Sequence, residues 1–147
     1  MARFIRSQIT GGNTPCTEWV NIDVSQTIVV GDLIQIDATS RLGKVAVAAS
    51  TSLYGIAEKA ITTGGSVTAA DKIPVTLLKG AVIRMDYTTG TKTSLVDTDK
   101  YSTKFDLASK TNMSLDDTTG GMCQVLGYDN TAKTADVVIA ESNLAIV

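Results

Sequence analysis

Asp97 with Asp99, and Asp116 with Asp117, are the residues whose types and spacing invite chemistry. Paired carboxylates do acid–base work in a cleft, and they hold a divalent cation where several oxygens converge. "VDTDK" offers two oxygens, and the chain has no Asp-x-Asp-x-Asp-Gly loop, so both pairs are read as polar turn residues that need no ligand. "TTGG" stands at 62–65 and again at 118–121. A phosphate-cradling loop needs a following helix with Lys and Ser/Thr at fixed spacing, which neither copy has, so both read as hairpin loops. Lys59, Lys72 and Lys79 read as ordinary surface lysines.

The chain contains no histidine. That removes the commonest general base, the Ser-His and Cys-His nucleophile pairs, and the commonest transition-metal ligand. The expectation is a protein that is not an enzyme, with no catalytic residues, no cofactor and no metal. Cys16 and Cys123 form no framework and are expected as free thiols made in a reducing cytoplasm. A formal charge of -2 with interspersed signs leaves no basic footprint for nucleic acid. No apolar run approaches the roughly 20 residues of a membrane helix, and "MARFIRSQITGG" lacks the apolar core of a secretory signal.

The elements behind these residues read as strands. Across 147 residues, 44% are apolar, and much of the remainder is Thr and Ser, which favours short strands over long helices. Val20, Ile22 and Val24 alternate with Asn21 and Asp23. Residues 34–48 form a hairpin across "TSRLG". In 73–87, Ile73, Val75, Leu77, Ala81, Ile83 and Met85 all fall at odd positions around Lys79-Gly80, giving one kinked strand or two meeting at a bulge, with Pro74 at a strand end or edge. Weak strands are expected near 94–96 and 103–107, and clear ones in "MCQVLGYD" and "TADVVIAES". The segment "STSLYGIAEKAITTGG" is ambiguous. Leu53, Ile56, Ala57, Ala60 and Ile61 share a helical face, but Gly55 costs a helix about 1 kcal/mol and no capping box is present.

"SRLGKVAVA…SLYGIAEKAI…IPVTLLKGAVIRMD" resembles the core of bacteriophage head decoration proteins, the cement proteins of lambda-type capsids. The likeness spans 27–87 and rests on a hairpin, the strand Gly55-Ile56-Ala57, the strand Val75 to Lys79 with Gly80, and a final strand carrying Arg84. It implies strand rather than helix at 52–58. The fold expected is all-β: a compact, tulip-like barrel or sandwich built of hairpins, more than 40% strand, with additional strands over 88–147. It also implies a capsid exterior location, a major capsid protein as partner, and a homo-oligomer, with a trimer favoured. Rival readings are a tail-tube or other virion component, a carbohydrate- or receptor-binding β-module, and a carboxylate-only hydrolase.

The first seventeen residues, with Gly11-Gly12 and Pro15, are expected as a mobile arm ahead of a single domain at 18–147. Yet this arm carries Arg3, Phe4, Ile5, Arg6 and Ile9, which would bind capsid by filling a groove and adding a strand. Trp19, the only tryptophan, reads either as a cap on the domain's own core or as an anchor for the partner.

Overall fold

The structure, a computed structural model, describes residues 1–8, 12, 14–48 and 50–145. Among them are thirteen strands: β1 (Arg3–Ser7), β2 (Thr17–Asn21), β3 (Thr27–Ile28), β4 (Leu33–Ile36), β5 (Gly43–Val45), β6 (Leu53–Ala57), β7 (Ile61–Thr62), β8 (Lys72–Leu77), β9 (Ala81–Thr88), β10 (Lys104–Phe105), β11 (Asn112–Ser114), β12 (Cys123–Asp129) and β13 (Thr134–Ile139). Strand makes up 44% of the residues and helix 4%, the latter as short 3-10 turns, so the chain is all-β.

The larger sheet runs β1-β9-β13-β12-β10, with β11 pairing β9 in parallel. The second runs β2-β8-β6-β4-β5, and β3 with β7 makes a two-stranded ribbon. The second sheet curls until Ile22, just past β2, bridges Gly43 on β5. Val20, Ile22, Ile34, Ile73 and Val75 fill the concave side against Ile28 of the ribbon. The opposite side supplies Leu33, Leu53 and Ile56 to a larger core shared with Ile83, Met85, Val125 and Val137 of the larger sheet. No helix of the described residues is long and apolar enough to cross a membrane.

The ambiguous segment is strand β6, and Gly55 explains why. A Cβ there would collide with Val75 and the Thr76 backbone, so glycine lets β6 and β8 lie close. The odd-numbered run at 73–87 is two strands in different sheets. Ile73 and Val75 face the small core, whereas Ile83 and Met85 face the large one. Between them Leu78 is buried, and Gly80 takes φ 68°, a left-handed turn that suits glycine. The hairpin at 34–48 is β4 with β5, with Ile34 opposite Val45. Its turn is tied by Asp37, which accepts from the Thr39 and Ser40 amides and pairs with Lys44 at 2.9 Å. Those bonds, the Ser40 amide foremost, hold the Asp37 carboxyl well below the usual carboxylate range.

Four expectations need correction. Pro74 lies inside β8, an inner strand. Leu77 N donates to Cys16 O and Ile22 N to Asp71 O, so by antiparallel alternation Trp19–Pro74 is a non-hydrogen-bonded pair and no bond to β2 is lost. On its other side β6 has just ended. Residues 94–96 form no strand; Leu95 is instead a buried plug whose N–H and C=O are both held by the Asn130 side chain. Neither "TTGG" closes a hairpin. The first docks on the domain through Thr63, whose hydroxyl donates to Asp23 O at 2.6 Å, and the second leads from β11 to β12. Lastly, residues 3–7 of the expected mobile arm are β1, antiparallel to β9, with Ala2 buried at 2% exposure. Their apolar side chains are used internally, which offsets the ordering entropy of the strand.

Asp32 joins the halves of the chain. It is wholly buried, accepts from Val29 N at 2.9 Å and pairs with Lys110 at 2.8 Å, while Leu33 N donates to Lys110 O. The Lys110 side chain is 40% exposed, so removing it leaves the buried Asp32 charge uncompensated at a cost below the roughly 3–5 kcal/mol of a fully buried pair, whereas replacing both by apolar groups costs far less. Lys110→Met is therefore expected to lower unfolding free energy by about 2 kcal/mol in urea titration. Asp32→Leu with Lys110→Met should recover more than half of that loss. Equal stability of Lys110→Met and the parent would refute this role.

Candidate interaction surface

Strand β2 buries Val20 and, just beyond it, Ile22, so alternation turns Trp19 to the opposite face, where it is 65% exposed. It does not cap the core. Lys72 Nζ lies 5.7 Å from the ring centroid, within cation–π range. Pro74 stands directly across from Trp19, and Pro74 O accepts from Glu58 N at 3.0 Å. Trp19, Pro74 and Glu58 thus form a row across one face of the curled sheet. The Glu58 carboxylate is fixed by the Thr76 hydroxyl at 2.6 Å.

Glu58 continues this row into a groove of about 320 Å³, lined also by Met1, Arg3, Phe4, Pro15 and Val30. The fold therefore brings Arg3 and Phe4 to the same side as Trp19. Phe4 is half-buried and packs against the large core, opposite Ile83, so it does not project as a free anchor. A register shift follows it, beyond which Ile5 is half-buried and Arg6 exposed. Ile9 lies outside the described residues. Arg3 stands across from Arg84, but Arg84 is clamped by Asp136 through two bonds of 2.7 and 2.8 Å.

The other sequence candidates have structural work. Asp97 pairs with Lys100 at 2.7 Å, and that bond and the Tyr128 hydroxyl lower its pKa. Asp99 accepts from Val96 N and pairs with Lys92, closing a 3-10 turn. Asp116 accepts from the Thr91 and Lys92 amides, and Asp117 from the Thr119 amide. Lys59 and Lys79 are exposed. Cys16 is free and exposed; Cys123 is free and buried, and burial pushes its thiol pKa up, away from thiolate chemistry. No group of three or more His, Cys, Asp or Glu among the described residues could hold a metal ion.

The places of Pro74 and Glu58 beside Trp19 had no local signal, because they arise from two ladders joining distant segments. Trp19 did carry one, since it is out of phase with Val20 and Ile22 and in phase with Asn21. No protein-family model, curated protein or solved structure matches the chain.

The two aromatic candidates should separate cleanly in stability. Trp19→Ala is expected to change the unfolding free energy by less than about 0.5 kcal/mol, as for an exposed side chain. Phe4→Ala should cost about 2 kcal/mol, below the roughly 3–5 of a fully buried phenylalanine. Denaturant titration of both variants checks this, and the reverse order would overturn the assignment.

Proposed function

We propose that the chain is a non-enzymatic structural protein of a phage virion, one that decorates the assembled head and stabilises it by bridging capsid subunits. The observation that carries the proposal is the order of elements over 27–87. The β4–β5 hairpin, Gly55-Ile56-Ala57 in β6, the apolar β8, the turn at Gly80 and Arg84 in β9 follow the order that the resemblance to head decoration proteins implies. The partner is the major capsid protein, on the outside of the shell. Self-association belongs to the same proposal, with a trimer at local three-fold positions as the arrangement carried from the resemblance.

Binding that requires the assembled shell stabilises that shell by mass action, without any chemical step. Trp19 supplies the kind of large exposed anchor that dominates interface energies. Arg3 and Arg6 are exposed on β1, which ends the strand order of the larger sheet among the described residues, with Ser7 N at its far end donating to Gly12 O. An extended capsid segment would add to that edge, so the N-terminal residues act from their place in the sheet and not as a loose tail.

The test is co-sedimentation of the purified chain with undecorated heads of the phage that this reading implies. Saturable binding is expected. Trp19→Ala combined with Arg3→Glu and Arg6→Glu should weaken it about 30-fold or more, as loss of a hot spot of about 2 kcal/mol requires. Failure of the unmodified chain to sediment with such heads would overturn the proposal.

A further inference from the structure

A second groove, of about 510 Å³, opens where the curled sheet ends. Its wall crosses three successive strands, through Glu18 of β2, Leu77 of β8, and Leu53 and Tyr54 of β6. Leu144 closes it, bridging to Leu53, and Lys79 and Glu141 stand on its rim. Tyr54 packs against the small core while Leu53 and Leu144 belong to the large one, so the groove is a mouth that opens where the two cores meet at the end of the curled sheet. Its polar end is pre-set. The Tyr54 hydroxyl donates to Glu18 Oε2 at 2.6 Å and holds that carboxylate in place. Burial, together with Glu18, pushes the Tyr54 pKa up to about 12, so the phenol stays a donor throughout the neutral range.

We infer that this groove binds one arginine or lysine side chain, with apolar neighbours, from an extended segment of a partner protein. A leucine floor beneath two carboxylates matches such a side chain, whose aliphatic stem lies on apolar surface while the charged head meets the acids. Glu18 and Glu141 outnumber Lys79, so the rim favours a cation over an anion. The Trp19 face is separate, because Glu18 and Trp19 point to opposite sides of β2. Occupancy of the mouth therefore does not depend on head binding, and either can fail alone.

The experiment titrates the ¹⁵N-labelled full chain with the peptide acetyl-Leu-Arg-Leu-amide at low ionic strength. Saturable amide shifts centred on Glu18, Tyr54 and Leu144 are expected, and acetyl-Leu-Glu-Leu-amide should bind at least about tenfold more weakly. Glu18→Gln with Glu141→Gln should weaken the arginine peptide by about tenfold. Lys79→Gln should strengthen it, a gain that general destabilisation could not produce. All three side chains are exposed, so thermal midpoints should stay unchanged and report an intact fold. Equal binding of the two peptides, shifts centred elsewhere, or no saturable shift would overturn the inference. Butylamine binding as tightly as the arginine peptide would also overturn it, since the site would then take free amines and not a protein segment.

Discussion

A carboxylate without access to water sits at the junction of the molecule, and the two sheets depend on how it is satisfied. Asp32 has zero exposure, and one of its oxygens, Oδ1, has no hydrogen-bond partner among the described residues. Burying a charge is costly unless it is paired, so Lys110 and the Val29 amide must hold the other oxygen closely. The surrounding backbone is equally committed. Gly31 N donates to Ala57 O, Ala57 N to Asp32 O, Leu33 N to Lys110 O, and Ala2 N to Gly31 O. The N-terminus, the start of β4, the end of β6 and the loop before β11 therefore meet around residues 31–33. A displacement of Asp32 would disturb all four.

The local half of this architecture was legible in the sequence. The hairpin at 34–48 showed both of its arms and its turn, and the strands of 123–139 showed their alternation. What the sequence does not display is set by distant partners. β3, β7 and β10 are two residues long, too short to display any period. β11 exists only because β9 offers its edge. The run at 73–87 keeps one parity throughout, which conceals the change of sheet at Gly80. Parity records which side of a strand is buried, and it is silent about which core lies there.

The same limit governed the candidate surface. The N-terminal residues looked like a tail because Gly11-Gly12 and Pro15 follow them, and the strand that receives them begins at Ala81. Their apolar content suits a foreign groove as well as an internal one, and Phe4 packs against the protein's own core. The acids proved readable from local chemistry. Asp97, Asp99, Asp116 and Asp117 each tie a neighbouring amide or lysine in a turn, as short-range Asp chemistry favours.

The pairing of β1 with β9 also dictates an order of events during synthesis. Arg3 meets Arg84, so β1 leaves the ribosome about 80 residues ahead of the strand that it pairs with. At roughly 5–20 residues per second that delay is about 4–16 seconds, far longer than a hairpin needs to form. Through that interval Phe4 and Ala2 have no core to enter. β4 and β5 can pair as soon as they emerge, whereas the opposite side of β9 waits longer still, for β13. β1 is thus made well before it can be placed, and nascent chains must spend those seconds with its apolar side chains unsheltered.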